Sequence, residues 1–206
     1  MPPASEAQRR QWAANRAAAY TGSLMHFLRS VYTNRIKQEA FMAQQVLLRP
    51  NPAFERAAER RRALLARPPE RPLSPAEQDS LARWGRLGPV LATLNPAARS
   101  LDSLRRVSAD GQHTYLRFTG ELQVAHFGEA PDPRYPRRMA SLGPPPPRTT
   151  YPAKRQVSRL HLLDDEAEIQ ADGSLLDPLK MSLGEYWGFE KIGEFLPYDY
   201  VPGAGT

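Results

Sequence analysis

The spacing of apolar residues in the first half of the chain predicts helices. Ser5 and Gln8 have the spacing of a capping box, so a first helix is expected to run to about Tyr20. A second, longer helix is expected over residues 23–48, ended by Pro50. Its apolar residues recur at steps of mostly three to five, as on one helical stripe: Leu24, Phe27, Leu28, Val31, Ile36, Ala40 and Phe41.

Three proline-containing start signals predict further helices. Asn51-Pro52 places an N-cap before a proline at the first helical position. Ser74-Pro75 has the same form and adds a glutamate three residues after the cap, which predicts a fourth helix to about Gly88. Asn95-Pro96 opens a fifth helix, to about Leu104. Residues 1–104 are therefore predicted to be a basic helical region of about four to five helices.

The hydrophobic period changes after residue 104. Turn signals at Asp110-Gly111 and Thr119-Gly120 separate β-forming residues, which predicts a small antiparallel meander over residues 105–128. So small a ribbon is marginal in water and needs a covering surface. The predicted fold class is mainly α with a small antiparallel β element and extended, proline-rich, non-globular arms.

Proline is the compositional outlier, with 21 of 206 residues, about twice the usual ~5%. Residues 129–156 combine it with cationic side chains, and four consecutive prolines favour polyproline II, which has no internal hydrogen bonds. Another molecule is therefore expected to cover this strap. Its predicted partner-binding residues are Arg134, Tyr135, Arg137, Arg138, Pro144, Pro145, Pro146, Pro147, Arg148 and Tyr151.

Residues 157–206 are acidic and rich in aromatic side chains. A strand is expected in "QVSRLHLL", a turn at Asp172-Gly173, and a short helix from Ser182. Aromatic residues are enriched both at interfaces and in cores, and with so little protein around them packing on a partner is the preferred interpretation. The residues of this predicted C-terminal anchor are Tyr186, Trp187, Phe189, Phe195, Tyr198 and Tyr200.

Charge is unevenly distributed around a net value of +6. The first 150 residues carry 23 bases and 12 acids, whereas the remainder carries 5 bases and 10 acids. A basic body suits an anionic partner, although a solvated surface is an equal alternative. Arg60, Arg61 and Arg62 are the candidates for contact with RNA or another anion.

No catalytic signature occurs in the sequence. The chain has no cysteine, and its four histidines fit no paired zinc spacing. Phosphate-loop, dinucleotide-binding and hydrolase-elbow motifs are also absent from the sequence. We therefore expect no enzyme activity, no catalytic, cofactor or metal site, and no small-molecule substrate. No apolar run approaches the ~20 residues of a transmembrane segment.

These features predict a non-catalytic structural subunit that wraps other protein subunits of a large multiprotein assembly. Residues 7–38 contain arginine and no acid, which favours mitochondria, in a respiratory complex or the mitochondrial ribosome. The first alternative is a cytoplasmic, axonemal protein on microtubules of a cilium, because acidic tubulin would suit the basic body. The second alternative is an RNA-binding protein.

Overall fold

A computed structural model describes residues 5–68, 70–135, 155–190 and 196–203. Helices make up 35% and strands 28% of the structure, and the strands form two antiparallel sheets, of five and three strands. The prediction of a mainly α fold is therefore wrong, because the chain is a mixed α and β protein. It divides into a main unit, Met1–Gln45 with Asn95–Thr206, and an inserted unit, Val46–Leu94.

The longer helices begin at the predicted caps. The side-chain oxygens of Ser5, Ser23, Asn51 and Ser74 each accept a hydrogen bond from a backbone amide of the helix that follows. Within the described ranges the helices are α1 Glu6–Tyr20, α2 Leu24–Tyr32, α3 Pro52–Leu65, α4 Pro75–Gly85, the single turns α5 Leu101–Leu104 and α6 Tyr186–Phe189, and a 3₁₀ turn at Pro178–Lys180.

Along the chain, β1 and β2 join the larger sheet, β3 and β4 the smaller, β5 and β6 the larger, β7 the smaller and β8 the larger. The larger sheet has the order β2-β1-β5-β6-β8, and the smaller one the order β3-β4-β7. Their bounds are β1 Phe41–Pro50, β2 Val90–Ala98, β3 Arg105–Val107, β4 Thr114–Arg117, β5 Glu121–His126, β6 Gln156–Leu162, β7 Glu166–Ile169 and β8 Met181–Glu185. Strand β6, expected from the sequence, lies between β5 and β8 in the larger sheet.

The second predicted helix is too long. It ends at Tyr32, and both Asn34 and Ala40 adopt positive φ angles, of 62° and 58°, which a right-handed helix cannot accommodate. From Phe41 the chain is extended as β1. The apolar residues from Ile36 to Phe41 have a spacing that fits one stripe of a helix and also one face of a strand, so their pattern did not distinguish the two.

The first part of the fifth predicted helix is a strand instead, and only the single turn α5 lies within the predicted range. Asn95 and Pro96 lie within β2. The Asn95 side-chain oxygen accepts a hydrogen bond from the Ala97 amide, 3.1 Å away, so the local capping bond forms without a helix. The Gln44 amide donates to the carbonyl oxygens of Asn95 and Pro96, at 3.2 and 3.3 Å, which ties this stretch to β1.

The predicted meander is divided between the two sheets. Strands β3 and β4 pair antiparallel, but β4 pairs next with β7, with Leu116 opposite Ala167. Strand β5 instead pairs with β6, with Val124 opposite Ser158. Both strands bury apolar residues in the core, which supplies the cover that an isolated ribbon lacks.

The core of the main unit draws on α2, on both sheets and on the segment after residue 155. Its largest fully buried side chains include Phe27, Leu28, Leu122, Leu160 and Ile169. Residues 156–189 thus build three strands and part of the core. The interpretation of residues 157–206 as a segment without enough of its own burial is corrected for this described part.

Candidate functional site

The inserted unit exposes large apolar side chains on a two-stranded ribbon. The ribbon consists of residues 46–50 of β1 and residues 90–94 of β2, and we call it the apolar ribbon. Four of its side chains keep between 38% and 50% of their surface exposed: Leu47, Leu48, Val90 and Leu91. Water does not stabilise such a surface, and a two-stranded ribbon is marginal without cover.

The two helices of the inserted unit are held by polar contacts at their ends. Ser74 and Glu77 form a complete capping box at the start of α4. Arg67, just beyond α3, forms an ion pair with Glu77. The backbone amide of Ser74 and then this guanidinium lower the pKa of Glu77 to about 2. The α3–α4 connection is therefore fixed by charge and capping at the surface.

Few residues of the inserted unit are buried. They are Val46, Asn51, Ala57 and Leu64. Among the described residues, none of this unit belongs to the main hydrophobic core cluster. The helices α3 and α4 therefore carry amphipathic surface that their own unit covers only in part.

A groove of about 290 Å³ lies between α3 and α4. Its aromatic walls are Phe54 and Trp84, and its other lining residues are Ala57, Ala58, Arg61, Arg62 and Leu65. The α3 residues recur at helical spacing and thus share one face. We call this surface the α3–α4 groove.

The inserted unit is rich in arginine. Its sequence contains nine arginines and five carboxylates, and no lysine. Arg60, Arg61 and Arg62, the predicted anion contacts, are all exposed on α3. Arg61 and Arg62 line the groove, whereas Arg60 does not. The cations thus lie beside apolar surface, a combination that sequence reasoning did not identify.

A second cavity, of about 400 Å³, lies in the main unit and is mostly apolar. The side chains of Leu24, Leu28 and Trp187 line it, and so does that of Tyr198, one of the predicted anchor residues. Two of its hydroxyls are already engaged, Ser23 as the cap of α2 and Ser174 with Asp172. Both hydrogen bonds are local, one within the cap of α2 and one within the turn at residues 172–174.

Two histidines lie close together in the core of the main unit, and both are buried. The rings of His26 and His126 lie 5.7 Å apart. His26 Nδ1 accepts a hydrogen bond from the Gly22 amide, so its Nε2 carries the proton and donates to Glu39. Burial lowers the pKa of His26, and burial and then the nearby His26 lower the pKa of His126 to about 4. Both rings are therefore neutral at pH 7.

The ring of Phe41 packs against both histidines of this pair, with centroids 4.9 and 4.6 Å away. Across the described ranges, no three metal-binding side chains come together. His126 Nδ1 is buried without a hydrogen-bond partner and lies close to Gly22 and Gln156. The pair is accordingly a neutral polar part of the core.

The described residues of the predicted strap lie against the main unit. Arg134 is exposed and forms an ion pair with Asp132, at 2.5 Å. The ring of Tyr135 packs edge-on against those of Tyr186 and Phe189, with centroids 5.2 and 5.4 Å away. The other strap residues lie outside the described ranges: Arg137, Arg138, Pro144, Pro145, Pro146, Pro147, Arg148 and Tyr151.

The described residues of the predicted anchor differ in burial, since Tyr186 and Trp187 are buried and Tyr198 is 60% exposed. Tyr186 and Trp187 are only 6% and 4% exposed, so they contribute to the protein's own core and not to a surface for a partner. Trp187 Nε1 donates a hydrogen bond to the Gly22 carbonyl, 2.8 Å away. Phe189 packs against the core, and Tyr200 lies 5.6 Å from Tyr20 between ring centroids. Phe195 lies outside the described residues.

Sequence reasoning missed the apolar ribbon because it assigned residues up to 48 and from 95 onward to helices. The run Val90–Leu94 contains β-forming residues between Gly88-Pro89 and Asn95-Pro96. Bounding turn residues of that kind are a strand signal. These turn residues are enough to predict β2 as a strand. A predicted strand must pair with another strand, which would have pointed to β1.

Comparisons add no relative from which a function could be transferred. No protein-family model, no curated protein and no solved structure matches the chain. Among the helices of the described ranges, none combines the length and apolar character needed to cross a bilayer.

Proposed function

We propose that this protein is a non-catalytic structural subunit of a larger protein assembly and that its inserted unit attaches it there. The observation that carries the proposal is the apolar ribbon, whose four large side chains are about half exposed in a unit that adds nothing to the core cluster. Large exposed apolar surface of this kind marks interaction sites.

A partner that buries the exposed side chains of the apolar ribbon gains binding free energy. Full burial of a leucine or valine stabilises by about 1.5–3 kcal/mol, so burying the remaining half of each exposed side chain is worth about 1 kcal/mol. Adjacent strand residues point to opposite faces of the ribbon, so a partner on one face covers one leucine of Leu47 and Leu48 and one residue of β2, which is worth about 2 kcal/mol. Other proteins supply such apolar cover, whereas water and phosphate backbones do not.

The non-catalytic part of the proposal comes from the sequence, in which no catalytic motif occurs. Its mitochondrial setting comes from the acid-poor residues 7–38, part of which form α1. Arg9, Arg10 and Arg16 lie on that helix, which contains no buried residue. A respiratory complex or the mitochondrial ribosome remains the proposed assembly, with the axonemal microtubule as the alternative.

Sedimentation tests the proposal. The full-length protein is tagged in its own cells, and lysates are separated on a density gradient. We expect it to sediment with a particle far larger than its own 23.1 kDa. A variant with Leu47→Thr, Leu48→Thr, Val90→Thr and Leu91→Thr should move to the low-mass fractions, because threonine keeps β propensity and removes apolar surface.

A matched control separates docking from folding. Leu163→Thr, Leu176→Thr, Leu179→Thr and Val201→Thr make the same four changes at exposed positions of the main unit. That variant should sediment with the large particle, and circular dichroism should show both variants folded. A wild-type chain that sediments as a monomer would refute the proposal. Release by ribonuclease would favour the RNA-binding alternative.

A further inference from the structure

The α3–α4 groove and its charges specify the kind of partner that the inserted unit binds. We propose that the groove binds one amphipathic helix of a partner protein, with apolar side chains on one face and carboxylates beside them. This inference rests on the proposed docking function and adds to it the chemistry of the partner.

The shape of the groove suits a helix. Its α3 side contributes Phe54, Ala57, Ala58 and Leu65 from one helical face, and Trp84 closes the α4 side. The small side chain of Ala58 leaves room for a partner backbone, Ala57 forms the buried base of the groove, and the larger side chains bound the space. An apolar face of a helix fills such a groove with residues at i, i+3, i+4 and i+7.

The cations at the rim of the groove favour a partner helix that carries negative charge. Arg61 and Arg62 line the groove and are exposed. Within the described ranges neither guanidinium takes part in an ion pair or side-chain hydrogen bond, whereas Arg67 is already paired with Glu77. Arginine pairs with carboxylates in a planar, two-point geometry. Carboxylates flanking the apolar face of the partner helix satisfy both cations.

A protein fits this surface better than a nucleic acid does. Phosphate binding is favoured by clustered cations, and Glu55 and Glu59, which lie on α3 among the arginines, oppose it. The apolar ribbon belongs to the same unit, and its Leu48 and Leu91 have no counterpart in a phosphate backbone. Arginine and aromatic residues, both of which line the groove, are enriched at protein interfaces.

Site-specific photo-cross-linking in cells tests the inference. Full-length protein carries a photoreactive amino acid at Leu65, in the groove, or at Leu91, on the apolar ribbon. We expect both positions to cross-link to protein. The peptide captured at position 65 should have apolar residues at helical spacing with flanking Asp or Glu residues.

The captured segment is then synthesised and its binding to the full chain is measured. Trp84→Ala should raise its Kd at least ~10-fold, because tryptophan dominates well-packed interface sites. The pair Arg61→Glu and Arg62→Glu should do the same through charge repulsion. Arg56→Glu with Arg60→Glu is the matched control on the same helix, away from the groove, and should change Kd less than ~3-fold.

Each other outcome overturns a defined part of the proposal. Cross-linking at position 91 but not at 65 refutes the groove and leaves the docking function standing. Cross-linking of either position to RNA or lipid refutes a protein partner. A captured segment without carboxylates, or one whose binding ignores Arg61 and Arg62, refutes the proposed chemistry. Particle-associated protein that cross-links at neither position refutes docking through the inserted unit.

Discussion

Gly22 shows how one residue limits the packing of the core. It adopts a φ of 77° between α1 and α2, and an added Cβ would lie 2.2 Å from Gln156 Oε1 and 2.8 Å from His126 Nδ1. Its carbonyl also accepts the Trp187 indole hydrogen bond. Gly22 therefore needs both a left-handed backbone and the absence of a side chain.

The substitution Gly22→Ala should lower the free energy of unfolding by about 3 kcal/mol, about 1–2 from backbone strain and the rest from overpacking. Gly111→Ala isolates the first contribution, because Gly111 has a φ of 75° and open space around it. It should cost only about 1 kcal/mol. Urea unfolding measures both, and equal losses would contradict the described packing around Gly22.

His126 should make the protein less stable in mild acid. Its pKa in the folded state is about 4, below the ~6.5 of the unfolded chain, so the unfolded state binds the extra proton first. This stability is present above pH 6.5 and is lost as the pH falls towards 4. Between pH 7 and pH 5 the loss should be about 2 kcal/mol more in wild type than in His126→Gln.

His113 provides a control of opposite sign. Its hydrogen bond with Glu168 raises its pKa, so its contribution is present at low pH and declines as the pH rises through the raised pKa. His113→Gln should therefore enlarge the loss of stability on acidification, whereas His126→Gln should reduce it. Denaturant midpoints at several pH values distinguish them, and identical profiles for all three proteins would contradict this assignment.

At the scale of elements, local capping was predictable and strand pairing was not. Ser5, Asn51 and Ser74 signal the starts of α1, α3 and α4, because capping depends on residues within three positions. Strand β1 depends on pairing with β2 and β5, one of which lies about forty residues away in sequence. The apolar steps from Leu24 to Phe41 could not reveal that contact, so the region was predicted as helix.

The guanidinium of Arg29, on α2, holds the C-terminal segment through three hydrogen bonds. Arg29 donates hydrogen bonds to the carbonyls of Asp172, Tyr200 and Tyr198, at 2.7, 2.7 and 3.0 Å. Lysine cannot reach all three. Arg29→Lys should therefore speed amide exchange over residues 198–203 and lower the free energy of unfolding by about 2 kcal/mol.

Arg9→Lys is the control for that substitution, because Arg9 is exposed and pairs only with Glu6 on α1. Its effect on unfolding should stay below about 0.5 kcal/mol. Exchange over 198–203 that is unchanged by Arg29→Lys would show that other contacts hold the segment.

At the scale of the whole molecule, composition alone did not show which aromatic side chains are buried. Aromatic density suggested an external anchor after residue 157, yet Tyr186 and Trp187 complete the protein's own core. Exposed large apolar side chains occur in both units, at Leu47, Leu48 and Leu91 of the inserted unit and at Leu163, Leu176 and Leu179 of the main unit. Composition cannot make this distinction, because the same aromatic side chains suit a core and an interface equally well.

Hydrogen exchange of the full chain, free and within its purified particle, tests the docking role of the inserted unit most directly. The free protein should protect the core strands β5 and β6 strongly and exchange faster over residues 46–50 and 90–94. In the particle, those ribbon residues and the groove helices α3 and α4 should gain protection, whereas exposed positions 163 and 179 should not. Equal exchange of residues 46–94 in the two states would contradict the account.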